Sequence, residues 1–174
     1  MPPTNPSLVA YYSRSGTTAR VGHALALRLG ADELAIEDLR GDVSVWRAAL
    51  DRLLGTLPPV AEPTVALDRY GLVVLGTPVW GGRAASPVRR FLHDHGAALA
   101  QVAFFCTMGG SGADSAFADM QQRLGKAPRA TCAIDAKALE GDRYLDTLDT
   151  FAARLADGAQ APLHTVPNGA VLHP

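Results

Sequence analysis

Three short apolar runs, spaced widely along the chain, constrain its fold more than any other feature of the sequence. They read SLVAYY at 7–12, YGLVVLG at 70–76 and QVAFFCT at 101–107. Each run has the length of a strand and contains no charged residue, which is typical of strands buried on both faces of a sheet. Such burial is a property of parallel sheets that are covered by helices. The runs therefore predict a parallel sheet enclosed between helices.

Helix patterns and two weaker strand patterns fill the intervals between these runs. Because strands alternate with helices, we expect βαβ units and an α/β fold with a doubly wound, five-stranded parallel sheet. One domain accounts for residues 1–174, with a core over about 7–157 and an irregular, proline-containing tail over 158–174. The additional predicted elements are a helix ending at Gly30, a strand at Glu33–Ile36, helices at 44–54, from 86, at 114–124 and at 142–156, and a strand at Arg129–Ile134.

Charge and composition exclude several classes of partner. The formal net charge is −1 and no run of like charges occurs, so neither nucleic acid nor an acidic membrane surface is indicated. No apolar run approaches the roughly 20 residues that span a membrane, and the N-terminus lacks the pattern of a secretory signal. We therefore expect a cytoplasmic protein. Cys106 and Cys132 lie in apolar stretches and are expected to be buried, reduced thiols.

The first loop after a predicted strand has the composition of an anion-binding turn. Its backbone N–H groups and the following helix dipole favour negative charge, and its hydroxyls add donors. Gly16 permits a positive φ and the close approach of a ligand. Taken alone, the loop is equally typical of an ordinary Ser/Thr turn with a helix cap. The loop consists of Ser13, Arg14, Ser15, Gly16, Thr17 and Thr18.

Two further loops rich in small residues follow the next two buried strands. In an open parallel sheet, ligands bind at the carboxyl ends of the strands, so all three loops belong to one edge. Trp80 can present a flat aromatic face there, although such a tryptophan is also typical of a core or an interface. The second loop comprises Thr77, Pro78, Val79, Trp80, Gly81 and Gly82, and the third comprises Thr107, Met108, Gly109 and Gly110.

Other motifs that carry chemistry do not match. The chain has no Walker phosphate loop, and 109–112 does not read G-x-G-x-x-G. The residues around Ser111 miss the last glycine of a nucleophile elbow. Cys106 has no arginine six positions later to hold a phosphate, and the five histidines show no metal-ligand spacing. These chemistries are therefore not indicated, and the three loops stay open to both a ligand-binding and an ordinary structural interpretation.

The chain resembles the flavodoxin family over most of 7–156. VAYYSRSGTTARVGHALA at 9–26 resembles the family's phosphate-loop signature. YGLVVLGTPVWGG at 70–82, with SPVRRFL at 86–92, is similar to its second flavin loop, and the Thr-x-Gly-Gly pattern after the fourth strand is similar to its third. The resemblance implies a flavodoxin-like sheet with strand order 2-1-3-4-5 and helices on both faces.

The resemblance also implies a cofactor, FMN, bound without a covalent link. Carried over by position, Ser13, Ser15, Gly16, Thr17 and Thr18 would hold its phosphate, with Arg14 contributing a backbone N–H. The second loop, Thr77 to Gly82, would line the isoalloxazine ring, and the third, Thr107 to Gly110, would close its other side. The redox chemistry would belong to the flavin.

Charge bears on the choice between an enzyme and an electron carrier. Carrier flavodoxins are strongly acidic, whereas this chain is nearly neutral and places Arg83 directly after the second flavin loop. A nearby cation stabilises the negative charge of reduced flavin, which favours an oxidoreductase that takes electrons from NAD(P)H and reduces a quinone or a similar small acceptor. The alternatives are an electron carrier between redox partner proteins and a flavin-free binding module. A homodimer is one expectation for the quaternary state, which the sequence leaves open.

Overall fold

The computed structural model describes residues 6–41 and 57–157, together with the backbone of 161–163. The helix predicted over 44–54 and most of the tail lie outside these residues. The strands are β1 Ser7–Tyr11, β2 Asp32–Ala35, β3 Leu72–Trp80, β4 Arg83–Ala84, β5 Gln101–Met108, β6 Ala130–Asp135 and β7 Ala161–Leu163. The helices are α1 Thr17–Leu29, α2 Ser86–His95, α3 Ala113–Leu124, α4 Ala136–Glu140 and α5 Tyr144–Asp157, with 3-10 turns at Leu67–Arg69 and Gly96–Ala98.

The strands form one sheet in the order β2-β1-β3-β5-β6-β7, and β4 pairs antiparallel with β3. All pairings along that path are parallel. The five predicted strands correspond to β1, β2, β3, β5 and β6, so the predicted order 2-1-3-4-5 and the doubly wound fold are confirmed. Because the strand order reverses between β1 and β3, the loops after these strands flank the switch point of the sheet.

The prediction of an irregular tail is wrong at 161–163. These residues pair in parallel with Ala130–Cys132 of β6 and extend the sheet by one strand. The outer edge of β6 offers unpaired backbone groups, and pairing satisfies them. Pro162 lacks an N–H, but an edge strand tolerates proline because only one of its sides is paired.

Helices cover both faces of the sheet, as predicted, and each face has its own apolar core. On one face, α1 and α5 pack against strand residues that include Val9, Val74 and Phe105. On the other face, α2 and α3 pack against residues one position away along the same strands, among them Leu8 and Phe104. Among the described residues, no helix is long and apolar enough to cross a membrane.

Two glycines allow close packing beside the loops at the carboxyl edge. A Cβ on Gly76 of β3 would lie 2.1 Å from the ring of Phe105, and a Cβ on Gly22 of α1 would lie 2.4 Å from the ring of Tyr11. Such distances are far shorter than van der Waals contact. The missing side chains therefore leave room for the Phe105 ring beside β3 and for the Tyr11 ring beside α1.

Both cysteines are buried and unpaired, as the sequence predicted. Burial raises the pKa of the Cys106 and Cys132 thiols to about 12, so both stay protonated at neutral pH. We expect the folded protein to react with a thiol-specific disulfide reagent at pH 8 at least 100-fold more slowly than the urea-unfolded chain, because the thiolate is the nucleophile. A stopped-flow absorbance assay measures both rates. Rapid reaction of either thiol in the folded protein would contradict this prediction.

Candidate functional site

The loop between β1 and α1 presents an open helix N-terminus. Gly16 caps α1 with φ 85° and ψ −13°, in the left-handed region, and a Cβ built on it would meet no described atom within 4 Å beyond its chain neighbours. The Arg20 N–H donates to the Gly16 carbonyl at 2.9 Å and closes the first turn. That turn contains no acidic residue. The positive end of the helix dipole is thus uncompensated and open to an anion.

The loop carries one buried hydroxyl, of Ser13, and two exposed hydroxyls, of Ser15 and Thr17. The Ser13 Oγ is buried and has no hydrogen-bond partner among the residues that the structure describes. A buried hydroxyl without a partner costs free energy, so it calls for an acceptor or donor from outside the protein. The Ser15 and Thr17 hydroxyls are exposed and lie 3.2 Å apart, close enough to contact the same ligand. The Arg14 side chain is exposed beside them.

Thr18 and Thr107 connect this loop to the sheet. Their hydroxyls share a buried hydrogen bond of 2.8 Å between α1 and the end of β5. Both residues are largely buried, with 2% and 5% exposure. Their hydrogen bond thus holds the start of α1 against the sheet. That these two residues also contact FMN stays a prediction.

The second predicted loop is shorter than the sequence indicated. Residues 77–80 continue β3, and Trp80 pairs with Arg83 of β4. Only Gly81 and Gly82 form the turn, with φ of 57° and 74°. Two positive φ values in succession fit a tight hairpin turn that matches the strand twist, which explains why the strand extends to this point. The hydroxyl of Thr77 accepts the Ala85 N–H at 2.9 Å and is fully buried, so it strengthens the base of the hairpin.

Two clefts lined by described residues lie at this edge, and each contains some of the predicted site residues. The larger cleft has a volume of about 450 Å³, and the predicted site residues in its lining are Ser13, Arg14 and Trp80. The second cleft has a volume of about 320 Å³, and the predicted site residues in its lining are Met108 and Gly110. The other predicted site residues line neither of these two clefts. Sequence reasoning missed these residues of the larger cleft: Tyr11, Tyr12, Ala19, Ala35, Ile36, Glu37, Asp38, Arg40, Gly41 and Ser86.

Most of the missed residues lie on or beside the segment that follows β2. Since β2 runs parallel to β1, its carboxyl end reaches the same edge of the sheet, and this rule could have pointed to 36–41. The segment carries its own ion pair: Arg40 donates to Asp38 through Nε at 3.0 Å and Nη2 at 2.9 Å. This two-pronged contact stiffens the wall of the cleft.

Aromatic rings and arginines define the remaining chemistry of the site. The Tyr12 and Trp80 rings meet edge to face, with centroids 5.6 Å apart and planes at 89°. Arg83 is exposed at the start of β4, and within the described ranges neither it nor Arg14 forms an ion pair. Among the described residues, the edge therefore combines an open helix N-terminus, a pair of aromatic rings and two arginines without ion pairs.

Structural comparisons agree with this architecture. A flavoprotein in complex with FMN from Lactobacillus acidophilus has a TM-score of 0.66 at 23% identity, covering 78% of this chain and 97% of that one. Oxidised flavodoxin 2 from Bacillus cereus has a TM-score of 0.59 at 19% identity, covering 87% and 98%. A WrbA-like flavodoxin from Agrobacterium tumefaciens has a TM-score of 0.57 at 19% identity, covering 88% and 96%. At these identities the likeness shows the fold alone.

Sequence comparison identifies the family. No curated protein sequence matches this chain. The family model described as flavodoxin, however, matches residues 6–155. Because that match spans most of the 174 residues, and because the sheet order and the loop between β1 and α1 agree with it, the chain belongs to the flavodoxin family.

Proposed function

We propose that this protein binds FMN without a covalent link and acts as an oxidoreductase. The observation that carries the proposal is the loop from Ser13 to Thr18, where a buried hydroxyl with no partner in the described part of the chain lies beside an open helix N-terminus. A phosphate monoester fits this arrangement, because its oxygens accept hydrogen bonds and its charge is attracted by the helix dipole. The L. acidophilus flavoprotein, which shares this fold, has FMN bound.

Each part of the edge has a role in this proposal. Backbone N–H groups at the start of α1 and the hydroxyls of Ser13, Ser15 and Thr17 would bind the phosphate. Trp80 and the backbone of Gly81 and Gly82 would contact the ring. When bound, FMN supplies hydride and electron transfer, and the protein's contribution is to hold it and tune its potential.

Charge supports an enzyme over an electron carrier. The net charge of −1 contrasts with the strongly acidic composition of carrier flavodoxins, which suits docking to basic redox proteins. Arg83, exposed at the tip of the Trp80 hairpin, favours the negative charge of reduced flavin, and this raises the flavin potential. In the proposed reaction, NAD(P)H and one proton reduce a quinone by two electrons, giving NAD(P)⁺ and the hydroquinone. Each turnover transfers one hydride from NAD(P)H and takes up one proton.

An absorbance spectrum tests cofactor binding, and an oxidation assay tests the reaction. We expect the purified protein to carry flavin absorbance near 450 nm, or to gain it on addition of FMN. We also expect NADH or NADPH oxidation that depends on added quinone. Flavin binding with negligible turnover and two widely separated one-electron potentials would identify an electron carrier. A colourless protein that refuses FMN would contradict both interpretations and favour a flavin-free module.

Replacing Arg83 with glutamine tests the charge argument directly. We expect the Arg83→Gln variant to bind FMN but to show a lower two-electron potential, because a positive charge near the ring is lost. Arg90→Gln is the matched control, since Arg90 lies on α2 and is paired with Asp94 at 2.5 Å. Potentiometric titration of both variants measures the shift. Equal potentials in wild type and Arg83→Gln would remove the charge argument for an enzyme.

A further inference from the structure

The hairpin that carries Trp80 is held at its base and on one side. At the base, the buried Thr77 hydroxyl accepts the Ala85 N–H at 2.9 Å. On one side, the Tyr12 ring meets the Trp80 ring at 5.6 Å. These contacts restrain the strands of the hairpin, but they leave its Gly81–Gly82 turn to be supported from elsewhere.

The support comes from Gly112, which the sequence did not single out. Gly112 caps α3 in the left-handed region, with φ 97° and ψ 3°. A Cβ on Gly112 would lie 3.0 Å from the Val79 Cγ1 and 3.1 Å from the Gly82 Cα. The second contact is to backbone, which cannot turn aside as a flexible side chain can. The turn of the hairpin therefore rests directly on the backbone that precedes α3.

A side chain at Gly112 would displace the hairpin and leave α3 in place. Helix α3 is anchored in the core by Ala116 and Met120, which are fully buried, and by Phe117, which stacks on Phe104. Gly81 and Arg83, by contrast, are exposed at the tip of the hairpin. A shift of a few tenths of an ångström therefore costs less at the hairpin than in the packed core.

We propose that Gly112 is a positioning residue that sets the placement of the Trp80 hairpin against the flavin ring. This inference rests on the proposed function, because it requires FMN at the edge of the sheet. A Cβ at position 112 would lie 3.1 Å from the Gly82 Cα and 3.5 Å from the Gly82 N, and Gly82 carries the backbone N–H that would face the ring. The absence of a side chain at 112 thus sets how far the ring-binding hairpin lies from the third loop.

The two glycines that cap α3 provide a matched pair of variants. Gly125 ends the helix, also with a positive φ of 65°, but a Cβ there meets nothing within 4 Å. Gly112→Ala and Gly125→Ala thus both place alanine in the left-handed region, and both are expected to lower the melting temperature of the apoprotein. Only Gly112→Ala is expected to raise the Kd for FMN, by at least tenfold, and to shift the flavin absorbance bands. When the two alanine variants are made in a Trp46→Phe background, we expect Gly112→Ala, but not Gly125→Ala, to change the fluorescence emission of Trp80.

The outcomes distinguish failure of the Gly112 inference from failure of the proposed function. If wild type binds FMN and both alanine variants bind it equally well with unchanged bands, Gly112 has no positioning role, although the proposed function stands. If wild type binds no FMN, the proposed function fails and this inference fails with it. Should Gly112→Ala not fold, Gly112→Asn repeats the test, because asparagine tolerates the left-handed region better and still introduces a Cβ.

Discussion

Gly16→Val is expected to abolish FMN binding and to leave the protein folded. The valine side chain would occupy the open space in front of the first turn of α1, where no described atom beyond the adjacent residues lies within 4 Å of the Gly16 Cβ position. We expect the Kd to rise by at least about 100-fold, a loss of roughly 2.7 kcal/mol. Equilibrium titration followed by flavin fluorescence measures the change.

The same helix supplies the control for backbone strain. Gly30 ends α1 in the left-handed region with φ 57°, and its Cβ position is also open. Valine in this region costs about 1–2 kcal/mol at either position. Gly30→Val should therefore lose similar stability and retain wild-type affinity for FMN. Equal losses of affinity in both variants would show that strain, and not obstruction of a phosphate site, weakens binding.

Aspartate and asparagine at position 15 have nearly the same size and differ in charge, so they test the effect of charge at this loop. Ser15→Asp adds a carboxylate beside the proposed phosphate and is expected to weaken FMN binding by repulsion, whereas Ser15→Asn keeps the size and adds no charge. Ser15 is exposed, so neither variant should affect folding. Raising the salt concentration should restore part of the affinity of Ser15→Asp, because salt screens exposed charges.

Asp119→Leu is expected to destabilise the protein by about 3–5 kcal/mol, because it leaves a buried charge without its partner. The Arg89 side chain on α2 is 9% exposed, and its Nε lies 3.4 Å from the Oδ2 of Asp119 on α3, whose side chain is 16% exposed. Burial lowers the pKa of the Arg89 guanidinium, Arg123 lowers it further, and Asp119 opposes both effects. Urea unfolding of the apoprotein measures the loss.

Two variants separate the buried pair from its exposed neighbour. Arg123 donates to Asp119 at 3.0 Å from one turn along α3, and Arg123→Gln should cost no more than about 0.5 kcal/mol. The double variant Arg89→Met with Asp119→Leu replaces the pair by apolar side chains and should recover most of the stability. Wild-type stability in Asp119→Leu alone would show that Arg89 finds enough solvent, and that the pair has no role in joining α2 to α3.

The sequence predicted the fold well where burial leaves a pattern along the chain. The apolar runs at 7–12, 70–76 and 101–107 correspond to β1, β3 and β5, because strands buried on both faces need apolar residues in succession. The sequence predicted strands less accurately where their extent depends on pairing with distant residues. The composition of residues 77–80 predicts a loop, but they continue β3 because 77–78 pair with β5 and 79–80 pair with β4. The prolines of the tail suggested irregular structure, yet 161–163 pair with the open edge of β6.

The candidate site divides in the same way. Local sequence is sufficient to predict a strand, a turn and a helix start around Ser13–Thr18, because all three are close together in the chain. The contact of Gly112 with Gly82 joins residues 30 positions apart, and the bond of Thr18 with Thr107 joins residues 89 apart. Neither leaves a local pattern. Only the tertiary structure showed that the Thr18 hydroxyl is turned inward and that the Ser13 hydroxyl finds no partner among the described residues, because both depend on how α1 packs onto the sheet.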